Sequence, residues 1–242
     1  MSTQHALRQQ FWERLPQLRP VPDTLRRPLA DRWLEAAQME HASIASFGRF
    51  ALQLLKLGAP AELVQSAHEA ALDEIEHARI CFALASAYAG QAYGPGGLDG
   101  ISGEFPSDFR TVLCANVEEG CVGETLAALE AAEAAKRATD PAVRAALEAI
   151  ALDEERHAQL AWSFWGWALR TAPELSAPSG AAFERAVTGA RAAHRDELID
   201  GELEQHGRLA DGTRNALIAR HIDEVIGPAK ARLFEATEGH RP

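Results

Sequence analysis

Asp73-Glu74-Ile75-Glu76-His77 and Asp153-Glu154-Glu155-Arg156-His157 lie eighty positions apart and carry the same chemical pattern. Each sets a carboxylate and an imidazole three residues apart, with an aspartate immediately ahead of the pair. Residues i and i+3 share one face of an α-helix, so each string offers a preformed pair of transition-metal ligands. In a chain of this composition roughly one Glu-x-x-His arises by chance, and requiring the preceding Asp lowers the expectation to about 0.04. The competing reading is two solvent-facing helices laced with charge pairs. Repetition of the whole pattern favours the metal.

Composition narrows the class. A chain of 242 residues can bury a sizeable core in one domain. Alanine is abundant, aromatics are 7%, and no run of alternating β-branched residues appears, so the fold class is all-α. No apolar stretch approaches the roughly 20 residues needed to cross a bilayer, and Met1 to Leu15 carries polar and charged residues throughout, unlike a secretory signal. Cys81, Cys114 and Cys121 form neither a CxxC nor a disulfide framework, which suits a reducing cytoplasm. The formal charge of −11 disfavours nucleic acid and anionic membranes as partners. Bound cations would neutralise some of that charge.

Helix signals divide the chain. An N-terminal arm, residues 1–28, combines a helical segment at about 3–15 with the proline-spaced connector Pro16, Pro20, Pro22 and Pro28. A long helix from about 29 to 57 ends at Gly58-Ala59-Pro60, and a second follows from Pro60 to about Tyr88. Five glycines between Gly90 and Gly100 then break the pattern. A third helix starts near Ser107-Asp108 and runs to about Ala138, and Asp140-Pro141 starts a fourth that reaches about Arg170. Two tight hairpins joined by one long crossover make a ferritin-like four-helix bundle over residues 29–171. Residues 172–242 supply two further helices, about 180–199 and 212–236, to cover the bundle or form a homodimer surface.

If the hairpins are repeats, each supplies one more inward glutamate from its first helix. Glu40 lies 20 residues before Pro60, and Glu74 lies 14 after it. Glu154 lies 13 after Pro141, so the counterpart of Glu40 falls near 121. Glu119 is preferred because Val112, Ala115, Val122, Leu126 and Leu129 share its α-helical face. Glu124 is the alternative, and Glu118 is further from the register. The expected ligands are Glu40, Glu74, His77, Glu119 (or Glu124), Glu154 and His157. Four carboxylates and two imidazoles balance two divalent cations, with iron or manganese favoured by hard oxygens and borderline nitrogens. Asp73 and Asp153 are placed to reach the histidine of the opposite hairpin and fix its tautomer.

These residues resemble the ferritin-like di-iron carboxylate superfamily, which includes rubrerythrin, the multicomponent monooxygenases and the tRNA isopentenyladenosine hydroxylase. Asp153-Glu154-Glu155-Arg156-His157 is similar to the Asp-Glu-x-Arg-His motif of the monooxygenases, which adds Arg156 to the residues supporting the site. The first string departs from it, with Glu76 where the arginine falls. Glu40-His41-Ala42-Ser43 and Glu119-Gly120-Cys121-Val122-Gly123-Glu124-Thr125 resemble segments of small bacterial ferritin-like proteins.

The resemblance implies a di-iron oxidoreductase, an oxygenase or oxidase. Such an enzyme takes dioxygen, a separate electron donor and a small-molecule substrate in a dry pocket near Ile44, Phe47 and Val122. A mixed manganese–iron or manganese pair is allowed. A rubrerythrin-like peroxidase or ferroxidase, handling peroxide or ferrous ion, is the second expectation. A non-catalytic helical metal-binding or interaction protein is the third. Cys81, Cys121 and the tryptophans Trp162, Trp165 and Trp167 are expected to serve packing, His41 to lie beside the ligands or on the surface, and His221 with Glu224 is a disfavoured second metal site.

Overall fold

The computed structural model describes residues 16–99, 101, 104–193 and 201–238, and among them every regular element is helical. The expected helix at 3–15 lies outside the described residues. Four long helical stretches form two antiparallel hairpins. In the first, α1 (Asp23–Leu57) turns into α2 (Ala61–Ala89). Gly58 ends α1 with φ at 68°, a left-handed conformation that suits glycine, and Ala59 N–H bonds back to the Leu54 carbonyl at 3.0 Å. Helix α1 starts earlier than the prolines suggest, running through Pro28. The next residues, Leu29, Ala30 and Trp33, are essentially fully buried, and their packing outweighs the one hydrogen bond the proline removes.

The second hairpin opens with α3 (Phe109–Ala115), capped by Asp108, whose Oδ1 accepts from Thr111 N–H at 2.9 Å. The helix then widens into a π-helical segment, Asn116–Glu124, and resumes as α4 (Thr125–Arg137). Helix α5 (Pro141–Thr171) starts from Asp140, which accepts from Ala142 N–H at 2.9 Å and from Arg19 N–H at 2.7 Å. That second bond ties the proline-spaced connector to the hairpin joint. Between hairpins the chain runs from the end of α2 to the far end of α1, where Gln53 Nε2 donates to the Pro106 carbonyl at 2.6 Å and Lys56 bonds Ser107. The crossover therefore spans the full length of a helix.

Helix α6 (Ser176–Ala192) packs on α3 and the π-helical segment. Beyond the 3₁₀ turn Gly201–His206, α7 (Asp211–His221), a second π-helical segment (Ile222–Ile226) and α8 (Gly227–Glu238) replace the single helix expected over 212–236. The end of the helix expected at 180–199 falls partly outside the described residues. Among the described residues no helix is long and apolar enough to cross a membrane.

The apolar core comes in two parts. One joins Phe47, Leu54, Leu63, Val117, Val122 and Phe164 toward the α1–α2 hinge; the other joins Trp33, Phe82, Tyr88, Ala134, Val143 and Leu147 at the opposite end. Between these clusters the four helical stretches bring together buried glutamates and histidines. A polar layer thus cuts the core in two.

Candidate metal centre

Helices α2 and α5 contribute their pairs as the i,i+3 spacing demands. Glu74 and His77 are 1% exposed, His157 2% and Glu154 4%. Two overlapping quartets result: Glu40, Glu74, His77 and Glu154, and Glu74, Glu124, Glu154 and His157, with the ligand atoms of each within 4.8 Å of one another. Glu74 and Glu154 belong to both. His77 Nδ1 stands 3.4 Å from Glu154 Oε1, 3.7 Å from Glu74 Oε2 and 3.8 Å from Glu40 Oε2. His157 Nδ1 stands 3.3 Å from both Glu74 Oε1 and Glu154 Oε2.

The outer nitrogens are held. His77 Nε2 lies 3.1 Å from Asp153 Oδ2, and His157 Nε2 lies 3.3 Å from Asp73 Oδ2, so each aspartate serves the histidine of the other hairpin. Arg156 ties the two together, with Nη2 at 3.0 Å from Asp73 Oδ2 and 2.6 Å from Asp153 Oδ1. An Nε2–H donated outward leaves the Nδ1 lone pair facing the other ligands, the arrangement of a metal-binding imidazole.

Crowding of the buried carboxylates and imidazoles shifts their titration. Burial, then repulsion from Glu74 and Glu154, pushes the Glu40 pKa well above the usual carboxylate range. Burial does the same to Glu124, helped by its hydrogen bond to Glu154. Burial also works to raise Glu74 and Glu154, but the neighbouring imidazoles of His157 and His77 outweigh it and hold both below their ordinary values. Burial likewise opposes charge on the imidazoles, yet the neighbouring carboxylates of Glu154 and Glu74 raise His77 to about 11 and His157 to about 9. Even so, Glu74 Oε2, Glu154 Oε2 and both Nδ1 atoms are buried without a hydrogen-bond partner. Four such atoms converging on one point are costly alone and satisfied together by metal ions. The donor set fits iron or manganese.

Glu124, rather than Glu119, joins the cluster. The π-helical segment is the reason. Its i→i+5 turns take one more residue than an α-turn, so the α-helical face that joins Val112, Ala115 and Glu119 is not kept through it: Asn116, Val117, Cys121 and Val122 are the buried residues. Glu119 is exposed at the cavity, and Ala115, expected inward, is also exposed. Glu118 pairs with Arg185 at 2.6 Å. Two glycines within nine residues, Gly120 and Gly123, are the sequence signal for an irregular turn there. At Gly120 an added Cβ would sit 2.6 Å from Ala161 Cβ, so only glycine lets the wide turn lie against α5.

The remaining candidates are structural. His41 is half-buried outside both quartets, Cys81 and Cys121 are buried free thiols raised in pKa by burial, and Trp165 donates Nε1–H to Ser179 at 3.0 Å. His221 Nδ1 bonds the Leu217 carbonyl at 2.8 Å, and no further metal-competent cluster occurs among the described residues.

A cavity of about 820 Å³ opens between α1 on one side and α3, the π-helical segment and α4 on the other. Glu40, Glu74, Glu124, Glu154 and His157 line it, as does Phe47, whose ring lies 4.9 Å from that of His157. Val122 and Ile44 pack into the core clusters instead.

No known family model matches the chain, no curated protein matches its sequence, and no solved structure matches its fold at a significant level. Fold and site together define an all-helical protein with a buried carboxylate–imidazole cluster able to hold metal.

Proposed function

We propose that this chain is a ferritin-like, non-haem di-iron oxidoreductase that uses dioxygen on a small organic substrate. The observation that carries the reading is the pair of overlapping quartets sharing Glu74 and Glu154, open to a cavity large enough for a small molecule. The hairpin–crossover–hairpin order and a Glu-x-x-His from each of α2 and α5 are what a di-iron bundle requires. Glu40 and His77 would hold one ion, Glu124 and His157 the other, with Glu74 and Glu154 between them. Two iron ions so bound would supply reduction-dependent activation of dioxygen for oxidation of the substrate.

The protein's own share is geometric. Asp73 and Asp153 keep Nε2 protonated, so that Nδ1 is free to ligate. Phe47 walls the His157 side against water. Glu40, with its side chain 20% exposed, faces the cavity. The three cysteines are free, so electrons come from a separate donor, and a reducing cytoplasm suits them. A peroxidase or ferroxidase would use the same ligands, but neither needs a cavity of this size.

Anaerobic ferrous titration followed by oxygen exposure tests the reading. Two irons per chain, oxygen uptake and a di-ferric optical band are expected, all lost in Glu74→Ala. Binding of one iron or none, or uptake unchanged in Glu74→Ala, would falsify it.

A further inference from the structure

The cavity that reaches the metal centre has a second charged end. Gly207, at φ 78°, turns the chain from the 3₁₀ turn Gly201–His206 toward α7. It presses so closely on α5 that an added Cβ would lie 2.6 Å from Leu147 Cδ1 and 2.7 Å from Val143 Cγ1. Arg208 comes next in the chain. Its guanidinium carbon stands 5.2 Å from the centre of the Trp33 ring, and both side chains line the cavity.

That guanidinium has no carboxylate partner among the described residues. Its neighbours are matched elsewhere: Arg32 with Glu35 at 3.3 Å, and Arg214 with Glu130 at 2.8 Å. Burial lowers the Arg208 pKa from its ordinary value. Trp33 Nε1–H, on a side chain 1% exposed, also lacks an acceptor. Asp211 lines the same end with Oδ2 buried and no donor, and no ion pair joins it to Arg208. A partly buried guanidinium that faces a cavity with no carboxylate against it marks a place for an anion.

We propose that the cavity binds an amphipathic carboxylic acid, its carboxylate on Arg208 and its apolar body running along α1 to the metal centre. The planar fork of arginine pairs a carboxylate through two parallel bonds, while Ala36, Met39, Ala127 and Ala131 give the intervening wall an apolar character. Trp33 and Glu40 are seven residues apart on α1, so the atom presented to the metals lies about 10 Å from the carboxylate. The identity of the reacting end rests on the di-iron reading; the binding of the acid does not.

Decanoate and decanamide, which share a chain and differ in charge, serve as probes in calorimetric titrations of the full chain without added metal. Decanoate binds at least about tenfold more tightly than decanamide. Arg208→Met abolishes that preference, and Arg208→Lys retains part of it. No binding of decanoate, equal affinities in the unaltered protein, or a preference that survives Arg208→Met overturns the proposal. The comparison in the unaltered protein decides even if the methionine variant fails to fold. A decanoate preference without oxygen uptake by iron-loaded protein supports this inference and sinks the di-iron reading alone. Oxygen uptake without a carboxylate preference does the reverse.

Discussion

Asp153 Oδ2 on α5 lies 3.1 Å from His77 Nε2 on α2, and Asp73 returns the contact to His157 at 3.3 Å. The aspartate that precedes each Glu-x-x-His therefore serves the other hairpin's histidine, not its own. The exchange couples the two hairpins at the level of the cluster, and Arg156 bonds both aspartates. Orientation of each imidazole thus depends on correct pairing of α2 with α5.

Truncating that support weakens metal binding without removing a ligand. Asp153→Ala leaves His77 free to rotate and to take the wrong tautomer, and an affinity loss of about 10–100-fold is expected. Asp153→Asn keeps an acceptor oxygen and falls between the two. Competition with a chromophoric chelator measures the loss. Equal affinity in Asp153→Ala and the unaltered protein refutes the assignment.

Proton linkage gives a second expectation, with its sign fixed by direction. Against an unfolded value of about 6.5, His77 at about 11 and His157 at about 9 are protonated in the ion-free protein at neutral pH. Their stabilisation is complete below the unfolded pKa and is lost as pH rises through about 9 and then 11. Glu74 and Glu154 are lowered, so their contribution is lost instead as pH falls below the ordinary carboxylate range toward their depressed values. Metal binding requires all six ligands deprotonated. It releases up to four protons, two from the histidines and two from the raised carboxyls of Glu40 and Glu124. Calorimetric titrations in buffers of different ionisation enthalpy count them. Thermal melts in turn show the ion-free Tm falling between pH 7 and 10 while the increment due to metal grows. A binding heat independent of buffer contradicts the picture.

Glu124 and Glu119 separate cleanly by substitution. Glu124→Ala removes a ligand from the quartet containing His157, so one ion per chain is lost or bound far more weakly. Glu119→Ala, on an exposed position outside both quartets, keeps the full complement. Metal content after gel filtration, read by elemental analysis, distinguishes them. The opposite result would restore the α-helical register.

The contrast between those glutamates shows what the chain made legible. Glu74, His77, Glu154 and His157 are readable because i,i+3 geometry is local and needs no knowledge of packing. Glu40 is readable by counting residues to Pro60 along an unbroken α-helix. Face matching favours Glu119 over Glu124 because it assumes an α-helix, whereas the π-helical segment Asn116–Glu124 breaks that face, and Gly120 is what lets the segment lie against Ala161 of α5. Arg208 lies 168 positions from Glu40, and nothing local to either predicts a shared cavity. Long-range packing, not residue chemistry, hid both.

Gly120 supplies the last test. Its missing side chain faces Ala161 Cβ at 2.6 Å and Asn116 Oδ1 at 3.3 Å, where Asn116 Nδ2 also donates to the Ala161 carbonyl at 3.0 Å. Gly120→Ala must push the π-helical segment away from α5 and strain that bond. A loss of about 1–3 kcal/mol is expected, as for other overpacked cores. Gly48 on α1 is the control, because a Cβ there meets nothing within 4 Å. Gly48→Ala should instead stabilise by up to about 1 kcal/mol through helix propensity. Denaturant melts of the ion-free protein read both changes without interference from metal. The double variant Gly120→Ala with Ala161→Gly restores the clearance, so its loss should be smaller than the sum of the two single losses. Additive losses would mean that Gly120 is tolerated rather than required, and that the π-turn has another cause.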